Sequence, residues 1–373
     1  MEFRPMKICT VLGARPQFVK AAAVSAEIAG RQGVEEVIIH TGQHYDPEMS
    51  AIFFSELNIP GEKYNLKIGS GSHGRQTGLM LEAVEEKLLA EHPDVVLIYG
   101  DTNSTLAAAL AAVKLHIPVA HVEAGMRSFN RLMPEEINRV VSDHVCDINF
   151  CSCAAAVTNL QAEGRGHTAV LAGDVMCDCV RMFLELAARR YDPVAKLGLE
   201  RQGYLLFTCH RPENTDHPER LRSIVGSVNA LAAERPVVYP AHPRTLKYLE
   251  DYKLELAPNV LKVAPLGYFE SILLVKHAFC LVTDSGGMQK EAFFCGTPCV
   301  TARDETEWME TVDAGWNVLV GADADKLKTA VGAYSRRRPD PVEVNPYGDG
   351  KAAAKIVDHL VNKFGQPCCA ERS

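Results

Sequence analysis

The stretch Leu281-Val282-Thr283-Asp284-Ser285-Gly286-Gly287-Met288-Gln289-Lys290-Glu291 decides how the whole chain is read. Residues 279–283 form an apolar, β-branched run as long as a buried strand, and it breaks at Asp284-Ser285-Gly286-Gly287. A helical pattern follows through Met288, Glu291, Ala292 and Phe293. Strand, glycine turn and helix start together make a cradle for an anion. Free N–H groups and the positive end of the helix dipole point the same way, and the glycines let a phosphate come close. Glu291, one turn into the helix, is placed to accept hydrogen bonds from a sugar hydroxyl. The same letters also suit an ordinary βα turn with Asp284 or Ser285 as N-cap, so the rest of the chain has to decide.

At 373 residues the chain exceeds what one hydrophobic core organises, which predicts two domains. A formal net charge of −8 argues against a nucleic-acid partner, and the charge of any phosphate ester must then be met locally. MEFRPMKICTVLG has no signal-peptide pattern and no apolar run reaches about 18 residues, so a cytoplasmic protein without a membrane span is expected. Of twelve cysteines, Cys9, Cys209, Cys280 and Cys299 sit in apolar strand-like runs, where a thiol packs as a small hydrophobe. The pairs Cys151/Cys153, Cys177/Cys179 and Cys368/Cys369 lack zinc-site spacing, and no metal is expected.

Strand-like and helix-like patterns alternate throughout, which means α/β with parallel sheets. Strands are predicted at 7–12, 37–41, 95–99, 118–122 and 148–151, with helices at 16–29, 77–89, 105–115, 135–145 and 154–162. A second series has strands at 204–208, 237–240, 260–263, 279–283, 299–301 and 318–320, with Leu221, Ile224, Val225, Val228 and Leu231 on one helix face. Residues 181–203 are the candidate connection, 345–350 a turn cluster, and 352–364 a last helix. Gly69-Ser70-Gly71-Ser72-His73-Gly74 matches G-x-G-x-x-G. It lies outside the first βα unit, behind a poor strand, and reads as a glycine-rich loop before the helix at Thr77.

Three carboxylates fall at strand ends in the first half: Asp101 closes VLIYGD, Glu123 closes PVAHVE, and Glu135 follows Pro134. Past a buried strand they point into the ligand crevice, and grouped carboxyls suit acid–base work, although Asp101 and Glu135 also fit helix starts. Cations occupy matching places: Arg15 and Lys20 after the first strand, His210 and Arg211 after 204–208, His242 and Arg244 after 237–240, and Arg127 and Arg139 flanking Glu135. Such groups are what a diphosphate leaving group needs.

Gly13-Ala14-Arg15-Pro16-Gln17, His121-Val122-Glu123-Ala124-Gly125-Met126-Arg127, Pro134-Glu135-Glu136-Ile137-Asn138-Arg139, His210-Arg211-Pro212-Glu213-Asn214 and Asp284-Ser285-Gly286-Gly287 resemble the signature set of non-hydrolysing UDP-N-acetylglucosamine 2-epimerases, in order and over nearly the whole chain. The resemblance implies two Rossmann-like domains in the glycosyltransferase-B arrangement, with the active site in the inter-domain cleft. Residues 1–180, joined by a returning helix over 352–373, would form the sugar domain, and 181–351 the UDP domain. It implies a UDP-sugar substrate, a homodimer, and catalysis without NAD or metal. UDP would leave from C1–C2 to give a 2-acetamidoglycal and return after the proton reaches the other face of C2. Asp101, Glu123 and Glu135 match the proton-handling carboxylates; His210, Arg15 and Lys20 match the groups that steady the diphosphate. Ser285, Gly286 and Gly287 match the phosphate turn and Glu291 the ribose contact, while Arg127, Asn138, Arg139 and Arg303 are candidates for the sugar.

Within the family, GARPQ, TGQHYDPEMSAIFF, MRSFNRLMPEEINR and QKEAFFCGTPCVTARDETEW resemble the branch acting on UDP-2,3-diacetamido-2,3-dideoxy-glucuronic acid, of surface-polysaccharide pathways. The alternatives are a UDP-GlcNAc 2-epimerase and, more distantly, a glycosyltransferase of the same architecture. Arg131 and Arg303 are candidates for the extra substituents. Many bacterial members have a second, activating UDP-GlcNAc site, which would align near Gln43, Arg75, Gln76, Glu136, Arg211 and His242. Asp46 stands where that site has a second glutamine.

Overall fold

In the computed structural model, which describes residues 4–43, 61–340, 342–343 and 345–365, the chain forms two compact units. Unit 1 comprises Met1–Cys179 with Val344–Ser373, and unit 2 comprises Val180–Glu343. The strands of unit 1 are β1 (Met6–Leu12), β2 (Val34–His40), β3 (Tyr64–Asn65), β4 (Val95–Tyr99), β5 (Val119–Ala124), β6 (Ile148–Cys151) and β7 (Ala169–Leu171). They lie in the order β3-β2-β1-β4-β5-β6-β7, every pair parallel. Unit 2 has β8 (Leu205–Thr208), β9 (Val237–Pro240), β10 (Val260–Val263), β11 (Cys280–Thr283), β12 (Cys299–Thr301) and β13 (Asn317–Leu319). Their order is β10-β9-β8-β11-β12-β13, again all parallel.

Runs such as VVLIY in β4 and CLVT in β11 are buried along their whole length, as strands covered by helices on both faces must be. In unit 1, Val11, Ile39 and Ile98 pack with Val84 and Leu88 of the helix His73–Glu91 and with Ala108 and Ala112 of the helix Asn103–Lys114. In unit 2, Phe207, Tyr239 and Val282 meet Leu221, Ile224, Val225 and Val228 of the helix Pro218–Ala232. Strand order reverses between β1 and β4 in unit 1 and between β8 and β11 in unit 2. Ligands of open α/β sheets bind past the strand ends at such switch points.

Several expectations are corrected. Two short edge strands, β3 and β7, were not foreseen, because neither is long enough to show a period. The helix before β4 starts at His73 rather than Thr77, so part of the glycine-rich segment is helical. The helix Val175–Arg190 runs into the anticipated connection. The second unit ends at Glu343 rather than 351. The turn cluster belongs with unit 1, where Tyr347 is fully buried and its carbonyl accepts the Asp174 N–H at 2.8 Å. The final helix, Ala352–Phe364, docks on unit 1 through Asp358 and Arg31 (2.6 Å), and residues 366–373 lie outside the described residues. Cys368 and Cys369 are among these; the ten described cysteines are free and buried. Among the described residues no helix is long and apolar enough to cross a membrane.

Candidate active site

In unit 1 the ends of β1, β4 and β5 each feed a loop carrying candidate side chains. Gln17 ties the first two: its Oε1 accepts from the Gly13 and Ala14 N–H groups (2.8 and 3.0 Å), and its Nε2 donates to the Tyr99 carbonyl (2.7 Å). Gly100, with φ +61°, turns the chain out of β4. Glu123 lies at a register shift between β5 and β6 with φ +70°, a left-handed conformation that a non-glycine residue keeps only when its surroundings impose it. Its Oε1 is 2.5 Å from Lys20 Nζ, and the two side chains are 8% and 10% exposed. A Cβ on Gly100 would stand 3.5 Å from Lys20 Nζ and 3.7 Å from Glu123 Oε1, so this ion pair lies against the turn that presents Asp101.

Asp101 is held twice. Arg139 donates to its Oδ2 through Nη2 (2.6 Å) and Nε (3.1 Å), and Asn138 Nδ2 donates to its carbonyl (2.9 Å). Arg139 also donates to Glu136 Oε2 (2.9 Å); the Ser128 N–H donates to the same oxygen and the Phe129 N–H to Oε1. Burial pushes the Glu136 carboxyl up, but those N–H groups and Arg139 outweigh it and hold the group below its ordinary value. Glu135, half-buried on the first turn of the helix Pro134–Val145, has no hydrogen bond or ion pair among the described residues. Three carboxylates thus sit in three environments: against a lysine, against an arginine, and without a charged partner.

In unit 2 the organising group is Asp284. Fully buried, it accepts from the His210 N–H (3.0 and 3.1 Å), the Arg211 N–H (3.0 Å) and Asn214 Nδ2 (3.2 Å). It therefore folds the loop after β8 onto β11 rather than capping a helix. Ser285 occupies the N-cap position of the helix Gly286–Cys295, but its side chain makes no capping bond. A Cβ on Gly286 would lie 3.5 Å from Trp308 Nε1 and 3.7 Å from both Arg211 Nη2 and Arg303 Nη1. An indole N–H and two guanidinium groups thus converge on the first turn of a helix, the arrangement that grips a phosphate. Glu307 fixes Arg303 with two bonds (3.0 and 3.2 Å). Burial lowers the His210 imidazole below its ordinary 6.5; Asp284 pulls upward, and Arg211, His242 and Arg244 push the same way as burial.

The structure thus places Asp101, Glu123, Glu135, Lys20, Arg127, Asn138 and Arg139 in unit 1, and His210, Ser285, Gly286, Gly287, Glu291 and Arg303 in unit 2. Arg15 opens the helix Arg15–Ala29; its side chain lies outside what the structure describes. Arg127, expected at the sugar, is instead turned inward: 1% exposed, it is bonded to Asp143 (2.7 Å) and doubly to Glu163 (2.8 and 2.7 Å), which makes it framework. Arg303, a second candidate for the sugar, stands beside the Gly286 turn. Of the residues aligned with an activating site, Gln43 accepts from Ser104, Gln76 bonds Gly69 and Asn103, and Asp46 lies outside the described residues. Sequence reasoning missed Gln17, His121, Asp143 and Trp308. Asp143 did carry a signal: it is a carboxylate in the last turn of the helix Pro134–Val145, where the dipole disfavours one.

Two all-parallel Rossmann-like units, each with its candidate side chains past the strand ends at a switch point, define a doubly wound α/β protein. Residues 26–361 match the UDP-N-acetylglucosamine 2-epimerase family, and the chain belongs to that family, making it an isomerase. It is 49% identical over 363 residues to a UDP-N-acetylglucosamine 2-epimerase homolog of Methanococcus maripaludis, covering 96% of this chain and 100% of the relative. It is also 49% identical, over 361 residues, to the UDP-2,3-diacetamido-2,3-dideoxy-D-glucuronate 2-epimerase of Pseudomonas aeruginosa, covering 95% and 99%. The crystal structure of Methanocaldococcus jannaschii UDP-GlcNAc 2-epimerase in complex with UDP-GlcNAc and UDP matches with a TM-score of 0.88 at 42% identity, covering 96% of this chain and 100% of that one.

Proposed function

We propose that the chain is a non-hydrolysing UDP-sugar 2-epimerase that converts UDP-2,3-diacetamido-2,3-dideoxy-glucuronate to its manno epimer for surface-polysaccharide synthesis. The observation that carries the reading is the division of labour between the switch points: donors around Gly286 in unit 2, and differently partnered carboxylates in unit 1. The sugar's C2–H is a poor acid until the C1–O bond is breaking, so the leaving group must be stabilised first. Arg211, Arg303 and the N–H groups of the Gly286 turn take the charge that develops on UDP. The C1–O electron pair leaves with the β-phosphate oxygen, a carboxylate takes the C2 proton, and a C1=C2 double bond forms. In the return step the phosphate oxygen bonds C1 and a second carboxylate protonates the opposite face of C2.

Lys20 is the side chain common to both tasks. Moving from Glu123 to an arriving diphosphate, it would neutralise phosphate charge and release a carboxylate for the proton. The scheme balances without NAD or a metal ion, so full activity is expected after chelation and without added NAD. A homodimer is the assembly proposed, from the family resemblance. A second reading, UDP-GlcNAc to UDP-ManNAc, is favoured by the naming of the equally similar M. maripaludis homolog. Side-by-side assays read by NMR decide: faster turnover of the diacetamido-uronate supports the first reading, and faster turnover of UDP-GlcNAc the second. An unchanged sugar-nucleotide mass separates both from glycosyl transfer.

A further inference from the structure

Under the unit 1 carboxylates lies a buried charge cluster that the reaction scheme does not use. His121, on β5 two residues before Glu123, is wholly buried. Its Nδ1 is 2.7 Å from Asp143 Oδ1, and its Nε2 is 2.7 Å from the Gly100 carbonyl oxygen. A carbonyl oxygen only accepts, so Nε2 carries a hydrogen. Asp143 Oδ2 accepts from the Gly125 N–H (3.0 Å) and from Arg127 Nη1 (2.7 Å), which fixes the carboxyl group whose Oδ1 holds the other ring nitrogen.

We infer that His121, held by Asp143, acts as a positioning residue, its Nε2–H clamping the Gly100 carbonyl so that Asp101 and the Lys20–Glu123 pair keep their places. The route is short. Gly100 donates its N–H to the Val122 carbonyl at 3.0 Å and gives its own carbonyl to His121. Both polar groups of the turn are thus tied to β5, the strand that carries Glu123. Asp101 follows directly, its carbonyl held by Asn138 and its carboxylate by Arg139. The charged groups facing the ring are Asp143, with Arg127 and Glu163 behind it, and Lys20 with Glu123 beyond Gly100. The effect on rate rests on the proposed C2 chemistry; the hydrogen bond from Nε2 does not.

Two measurements test this. In unaltered protein labelled with 15N-histidine, His121, identified by ring-proton NOEs to Gly100, should carry its proton on Nε2. An unprotonated Nε2 overturns the inference. In His121→Gln, which cannot serve both acceptors, kcat should fall about 100-fold, with KM and the UDP dissociation constant within about twofold. A kcat within about twofold of wild type, or a parallel loss of kcat and UDP affinity, overturns it; a variant that fails to fold leaves the decision to the NMR result. If wild-type protein exchanges no deuterium into C2, the epimerase reading fails while the Nε2 result stands or falls separately.

Discussion

The two switch points share a plan and differ in sign. Each buries a carboxylate beneath its loops, Asp143 in unit 1 and Asp284 in unit 2; Asp143 takes the Gly125 N–H after β5, and Asp284 takes the His210 and Arg211 N–H groups after β8. Above Asp143 the loops present acids: Asp101, Glu123 and Glu135. Above Asp284 they present donors: Arg211, Arg303, Trp308 and the start of the helix Gly286–Cys295. Even the buried anchors are matched differently, Asp143 by His121 and an arginine, Asp284 by backbone N–H groups and an asparagine amide. The same parallel sheet serves both, so the chemistry resides in the loops and the sheet supplies their positions.

The largest effect should come from removing a charge on the acid side alone. Asp101→Asn and Glu135→Gln should each lower kcat by about a thousandfold while leaving the UDP dissociation constant within about twofold. Calorimetric titration with UDP checks this; an equal loss of UDP affinity would break the division between the units. On the donor side, Gly286→Ala adds a methyl that meets no atom closer than 3.5 Å. Stability should change by less than about 1 kcal/mol, whereas UDP affinity should fall about tenfold or more, because the methyl stands where the phosphate would approach. Unchanged UDP binding would remove the phosphate from that turn.

A smaller effect separates the anchors from the surfaces they carry. Asp284→Asn leaves an amide where a carboxylate accepts three groups, and should cost about 2 kcal/mol, read as a lower Tm. The smallest effect is in pH. His210 has a value below 6.5, so from about pH 6.5 downward the unfolded chain binds a proton that the folded chain does not, and stability falls. Burial pushes Asp143 up from its ordinary 3.8, but His121 and Arg127 outweigh it and hold it lower; Glu136, ordinarily at 4.5, is also held low. Their contributions are complete above those values and are lost only as pH falls below them. Burial lowers His40 and His359 of unit 1 in the same way, so acidification below about pH 6.5 should cost both units, and His210→Gln should remove only its share of that upper part of the curve, as chemical denaturation at stepped pH would show.

Much of this arrangement was legible from residue order alone. The strands at 95–99, 148–151, 237–240, 260–263 and 299–301 are observed as expected, because a continuous buried β-branched run bounded by turn residues admits few other readings. The edges β3 and β7 were not, since two or three residues show no period. The glycine turn at 284–287 could be read as a cradle and Arg211 as a cation for the diphosphate, but Arg303 was assigned to the sugar, and Trp308 passed unnoticed. Arg127 was misread because no local pattern distinguishes a guanidinium in a crevice from one turned inward. His121 and Asp143 are 22 residues apart, and Gln17 and Tyr99 are 82 apart. Bonds over such separations follow from how the sheet brings strand ends together, and no window of sequence carries them.

The central claim is that unit 1 moves a proton at C2 while unit 2 holds the departing UDP. Incubating the enzyme with its UDP-sugar in D₂O and following C2 by NMR tests it most directly. The account predicts one deuterium at C2 of the epimerised product, with no change in the nucleotide. Inversion at C2 with the original hydrogen retained would contradict it.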